Sequence, residues 1–343
     1  MKEFTNTPHR EVAQGPESAT EASRLKRVLW LRTLFGDTSE HMPMGHLAAR
    51  VQEFTVAAGT SLFDEAGPAD ALYFVVEGAI RHGAEGYTLF TSGDVLGYVD
   101  AAINRPHRFT ATVERDATVL RLMRDDWLEY LEDNFEVLRR NIMSTLESLS
   151  QAPDEEAIQV ELARTLVASE RAPTDSGAVV HRLLATRACP LLRHASIQAL
   201  AHVVRGAETI SLTKGERFSP QRRSIGIWLV ASGVARLDPV TDDTVEADAV
   251  EVVGEAKTTS KRYPGMLLYA ASALVARPTS ADVTALEDTV LLHLATEDYF
   301  DIMEDHFDLA RSALAYLAAR VEEQNRRWTD EAESRSQTFI HRG

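Results

Sequence analysis

Cysteine is nearly missing: Cys189 is the only one in 343 residues, so no intramolecular disulfide can form. No apolar run reaches the roughly 20 residues that span a bilayer, and no basic-then-apolar leader opens the chain. A reducing, cytoplasmic setting is the simplest expectation. Positive charge is also short, with 36 Lys and Arg against 52 Asp and Glu and a net charge of -16. Binding of nucleic acid regardless of sequence needs cations facing phosphates, so that class is disfavoured.

Catalytic signatures are missing too. There is no G-x-S-x-G elbow, no G-x-x-x-x-G-K-[ST] loop and no G-x-G-x-x-G after a strand. Of the eleven histidines, His41 and His46 stand closest, without the helical spacing and third ligand of a zinc motif. The acidic pairs Asp125-Asp126 and Asp242-Asp243 lie at a helix start and in a loop, where capping and solvation explain them. Cys189, beside Pro190 at an apolar helix end, reads as a buried inert thiol. Neither an enzyme nor a metal is indicated.

What is present is a repeat. Gly93 to Leu122 aligns without a gap on Gly265 to Leu294 at an offset of 172 (265 less 93), placing Arg105-Pro106 on Arg277-Pro278, Asp116 on Asp288 and Leu122 on Leu294. The register persists through Glu132 to Phe135 on Glu304 to Phe307 and Arg139 on Arg311. Register this long marks a tandem duplication.

The repeated stretch resembles the cyclic-nucleotide-binding domain of the bacterial cAMP receptor protein, which occurs in tandem in the regulatory subunit of cAMP-dependent protein kinase. That family carries a cassette reading approximately F-G-E-x-A-L, a short helix and loop, then P-R-x-A-T. The resemblance implies that Glu holds the ribose hydroxyl and Arg the cyclic phosphate. Here the Glu position is Tyr98 in the first copy and Ala270 in the second, and the Arg position is His107 and Thr279. The cassette glycine is Gly97 but then Tyr269, and the threonine is Thr110 but then Asp282. Thr279 has neither the fork nor the charge of an arginine, and a carboxylate at Asp282 would repel a phosphate, so the second pocket is expected not to bind. In the first, His107 and Arg108 leave room for an anion.

The implied architecture is α+β, mainly β: two cyclic-nucleotide-binding-like jelly-roll barrels, each flanked by helices and joined by a helical linker. Composition and period predict a disordered arm over 1–20, a first domain over 21–150, a linker over 151–180, a second domain over 181–327 and a loose tail over 328–343. Helices are expected over Leu25 to Leu34, Met44 to Val51, Asp125 to Leu131, Phe135 to Leu149, Val180 to Leu192, Ser196 to Arg205 and from His306 onward. Glycines punctuate the strands Glu53 to Val56, Ser61 to Phe63, Leu72 to Val76, Ala79 to His82 and Tyr87 to Phe90.

Gly78 to Gly93 spans 15 positions where Gly233 to Gly265 spans 32, so the second copy holds 17 extra residues. This acidic insertion, 242–261, includes Asp242, Asp243 and the alternating Val250, Val252 and Val253, which fit either an extended hairpin or a solvated loop. The C-terminal stripe of Phe307, Leu314 and Leu317 fits either a contact with a second copy or packing on its own domain. The expectation is a non-catalytic adaptor or structural subunit, without cofactor, acting through protein partners at the insertion and this stripe. A cyclic mono- or dinucleotide sensor using the first pocket, and a regulatory subunit that inhibits an enzyme, are the alternatives.

Overall fold

The computed structural model describes residues 21–35, 42–83, 88–150, 179–219, 225–239, 260–268 and 281–340. Two compact units emerge, the first formed by residues 1–101 and 105–130, the second by 102–104 and 131–343. The arm over 1–20, the linker over 151–178 and nearly all of the insertion lie outside the described residues.

The first unit opens with α1 (Glu21–Phe35) and α2 (Met44–Arg50), followed by β1 (Gln52–Val56), β2 (Ser61–Phe63), β3 (Ala71–His82), β4 (Thr88–Thr91) and β5 (Val95–Leu96). Next come α3 (Tyr98–Ile103), β6 (Ala111–Met123) and α4 (Arg124–Asp133). Every pairing is antiparallel, in the order β1-β6-β3-β4, with β2 added on β6 and β5 on β3. Alternation explains the core: Ala111, Val113, Ala117 and Val119 of β6 turn inward against Tyr73, Val75 and Ile80 of β3. The sheets stay open among the described residues, so the unit is a sandwich flanked by helices, not a closed barrel.

Gly78 was expected to end a strand, yet β3 runs through it. Its φ of +101° and register shifts on both sides make it a bulge, and a Cβ there would sit 2.5 Å from the Asp116 carbonyl oxygen. Only glycine fits such a conformation and approach.

The second unit repeats this plan with α5 (Phe135–Ser150), α6 (Val179–Ala188) and α7 (Ile197–Gly206), then β7 (Glu208–Leu212), β8 (Arg217–Phe218), β9 (Gly226–Ser232) and β10 (Ala235–Pro239). It ends with β11 (Ser260–Arg262), β12 (Ala281–Ala285), β13 (Thr289–Ala295), α8 (Thr296–Asp305) and α9 (Phe307–Ile340). Its strands form two sheets, β11-β10-β12-β8 and β7-β13-β9. Ser196 caps α7 by accepting from the Ala199 amide at 3.1 Å. Cys189 is wholly buried, and burial pushes its thiol up to about 12, as an inert core group requires.

The duplication is written in equivalent hydrogen bonds. Asp116 Oδ1 accepts from the Ala58 amide at 2.8 Å, and Asp288 Oδ1 accepts from the Lys214 amide at 2.9 Å. Gly59 donates to Val113 as Gly215 does to Ala285, and Arg124 to Asp70 as Thr296 does to Ile225. Gly233 repeats the Gly78 corner, with φ +81° and a Cβ position 2.4 Å from the Asp288 carbonyl oxygen.

Two expectations change at the C terminus. The stretch read as a loose tail continues α9 to Ile340, because neither glycine nor proline interrupts 307–340. The stripe read as a docking face is turned inward. Leu314 and Leu317 are 2% and 1% exposed, and Phe307 is half-buried. α9 packs on α5 and α8 within its own unit, where Phe135 meets Phe300 edge-on at 6.4 Å and Arg139 grips Glu297 at 2.7 and 2.9 Å. Apolar residues whose area is already removed from water have none left to bury against a second copy.

Candidate functional site

The cassette of the first unit lies between β5 and β6, centred on α3. Gly97 enters it with φ +78°, and a Cβ there would stand 2.8 Å from the Ala71 carbonyl oxygen, so the turn requires glycine. Tyr98, the first residue of α3, packs edge-on against Trp127 at 5.6 Å, and burial pushes its phenol up to about 12. A neutral phenol held in that contact cannot replace the carboxylate that would accept from a ribose hydroxyl.

His107 is 3% exposed and stacks on Phe63 at 3.7 Å with the rings 15° apart. Its backbone is fixed on both sides, the amide donating to Gly67 O at 2.9 Å and the carbonyl accepting from Ala66 N at 2.8 Å. Its Nδ1 lies 3.2 Å from Oδ2 of Asp100, a carboxylate on α3 in a residue only 6% exposed. Arg105 donates from Nε to the other Asp100 oxygen at 2.7 Å, and the Arg108 amide donates to Oδ2 at 3.4 Å. Burial alone would raise the Asp100 carboxyl. The hydrogen bonds from His107 and Arg105, the Arg105 charge and the Arg108 amide outweigh it and hold the group below the usual carboxylate range. An ionised carboxylate only accepts, so His107 carries its proton on Nδ1 and donates.

The remaining predicted residues serve the loop. The Arg108 guanidinium lies over the Phe109 ring at 5.5 Å, and Thr110 Oγ1 accepts from the Glu65 amide at 3.0 Å. His82 stands edge-on to Phe63, Phe90 and Phe109, with its Nε2 buried and unbonded. Burial lowers its pKa, aided by His107 and opposed by Asp100. Of the predicted residues, His107 and the Arg108 amide meet at Asp100, a residue that sequence reasoning passed over, and Gly97 precedes the helix that carries it, whereas Tyr98 packs on Trp127 and Thr110 on the Glu65 amide. The signal for Asp100 was available: the cassette F-G-E-x-A-L places alanine where this chain has Asp100.

Residues 53–134 match the family model of the cyclic nucleotide-binding domain. The match runs from β1 to the end of α4, and so covers the cyclic-nucleotide-binding domain of the first unit and no part of the second sandwich. No curated protein matches. Among solved structures, the regulatory domain of Toxoplasma gondii PKA with cAMP is 17% identical, with 83% of this chain and 95% of that one covered and a TM-score of 0.31. The regulatory subunit of a cAMP-independent protein kinase A from Trypanosoma brucei is 13% identical over 84% and 90%, with a TM-score of 0.29. The N-terminal domain of a transcriptional regulator from Streptomyces coelicolor A3(2) is 26% identical over 32% and 83%, with a TM-score of 0.26.

In the second unit Tyr269, Ala270 and Thr279 lie outside the described residues, as do Asp242, Asp243, Val250, Val252 and Val253. Asp282, on β12, faces Arg217 at 3.7 Å on a partly exposed rim. Among the described residues no three His, Cys, Asp or Glu side chains gather as a metal site, and no helix is long and apolar enough to cross a membrane.

Proposed function

We propose that this protein is a non-catalytic regulatory or docking subunit whose first cyclic-nucleotide-type cassette works without a nucleotide. The observation that supports the reading is the engagement of His107. The side chain at the phosphate-binding position is stacked on Phe63 and bonded to Asp100, so a cyclic phosphate would have to part a buried pair and then sit beside the carboxylate. Parting such a pair costs roughly 3–5 kcal/mol. A sensor needs the opposite arrangement, with donors held open for ligand.

Docking falls to the insertion expected over 242–261, apart from its last two residues, Ser260 and Lys261, which belong to β11 and pair with β10. The insertion's alternating valines suit strand addition to a partner's sheet, and its acids favour a basic surface. Two measurements test the reading together. Millimolar cAMP or cGMP should leave the melting temperature unmoved, whereas a ligand at a hundredfold excess over its Kd adds about 2.7 kcal/mol. Deleting 242–259, which spares Ser260 and Lys261 because they belong to β11 and pair with β10, should abolish recovery of a partner from the native host while leaving melting nearly unchanged. A clear upward shift with either nucleotide, or full partner recovery by the deletion variant, overturns it.

A further inference from the structure

Three donors converge on one carboxylate in the first unit. Arg105 Nε, His107 Nδ1 and the Arg108 amide reach the two Asp100 oxygens at 2.7, 3.2 and 3.4 Å. All three come from a single four-residue stretch of loop, and the acceptor comes from the helix just before it. Asn104, with φ +58°, makes the reversal between them, and the Arg105 amide closes it by donating to the Asp100 carbonyl at 3.1 Å. A cationic fork, an imidazole N–H and a backbone amide aimed at one point form an oxyanion cage of the kind proteins use to hold carboxylate or phosphate oxygens. The anion in this cage is covalently part of the chain.

We infer that Asp100 is the resident ligand of the first cassette, an intramolecular carboxylate seated in an oxyanion site made by Arg105, His107 and the Arg108 amide, which an external small carboxylate can enter only in its place. The inference deepens the reading of this cassette as working without a nucleotide and rests on it. It adds that the site is built to bind an anion and is permanently filled. The carboxylate's effective concentration is set by a helix and loop already folded around it, so free anions at ordinary concentrations do not compete. The stack of His107 on Phe63 is then held in one geometry at all times, and the loop carries no ligand-dependent signal.

Chemical rescue tests this. Asp100→Ala empties a space of carboxylate size and leaves the three donors facing it. The variant should melt roughly 5–10 °C below the wild type, as expected when a buried polar network loses its acceptor. Tens of millimolar sodium formate should recover several degrees of that loss, following ligand linkage, while sodium chloride at equal ionic strength should not. Neither the wild type nor Asp100→Asn, in which the space stays filled, should respond to formate. Formate raising Asp100→Ala no more than chloride does, or raising all three proteins equally, overturns the proposal. Should Asp100→Ala fail to fold, proton NMR decides the matter. The His107 Nδ1–H should give a slowly exchanging downfield resonance in the wild type that moves upfield in Asp100→Asn, and an unmoved resonance overturns the proposal. These readouts do not involve a partner, so docking through 242–259 can fail or succeed independently of them.

Discussion

Restoring the consensus cassette should not by itself restore nucleotide binding. Tyr98→Glu with His107→Arg supplies the two side chains that the resemblance assigns to ribose and phosphate, yet leaves Asp100 in place. His107 Nδ1 lies 3.2 Å from that carboxylate, so a guanidinium at this position pairs with Asp100, and a phosphate held by it would come within about 4 Å of the same negative charge. At that separation, with an effective dielectric of about 20, the repulsion is roughly 4 kcal/mol, equivalent to about a thousandfold in Kd. Adding Asp100→Ala, which completes the F-G-E-x-A pattern, removes that term. The triple variant should therefore bind cAMP about a thousandfold more tightly than the double variant, measured by calorimetry with melting curves to confirm that both are folded. Losing the contact of Tyr98 with Trp127 costs both proteins equally, roughly 0.5–1.5 kcal/mol, and cancels in the comparison. Equal affinity in the two variants refutes the reasoning, and so does a folded triple variant that binds nothing.

Acid should destabilise the first unit in two windows. His82 has a folded pKa lowered by burial, so the unfolded chain takes up its proton first, and stability falls as pH drops below about 6.5. The depressed Asp100 carboxyl contributes stability that is present above its unfolded pKa of about 3.9 and is lost as pH falls through its lower folded value. Melting curves across pH should show both limbs, and His82→Gln should flatten the upper one alone. Leu314→Asp places a charge where the side chain is 2% exposed, so it should lower the melting temperature or prevent folding, not change the mass in solution as a dimer contact would. Gly78→Ala, forced to φ +101° with its Cβ 2.5 Å from a carbonyl, should cost about 1–3 kcal/mol or more, and urea melts of both variants check these directions.

The architecture was legible wherever short-range chemistry decides it. Gly59 and Gly93 sit in turns that their own neighbours close, Thr60 donating to Ala57 and Asp94 to Thr91, and the duplicated register carried Gly93 and Asp116 to Gly265 and Asp288. The periods of α1, α2, α5 and α7 likewise appeared within a few residues of their final bounds. What stayed hidden depended on longer-range pairing. Gly78 looks like a terminator until β6 supplies the register shift that turns it into a bulge. Leu314 and Leu317 form an apolar stripe whose spacing is the same whether its cover is α5 or another molecule. In the cassette, the lost Glu and Arg could be read residue by residue, but the role of Asp100 required the fold of α3 onto the following loop, since 100, 105 and 107 share no periodic face.

β3 and β6 pair as one continuous ladder from Ala71–Met123 to His82–Ala111, whereas the second unit divides the same path between β9–β13 and β10–β12. The Gly78 bulge shifts the register of the first ladder but leaves both of its halves on the same two strands. Amides on either side of Gly78 should therefore exchange with solvent in one cooperative event, and those on either side of Gly233 in two. The cassette of the first unit is joined to the side of this ladder at β5, so its amides should exchange together with those of the whole sheet.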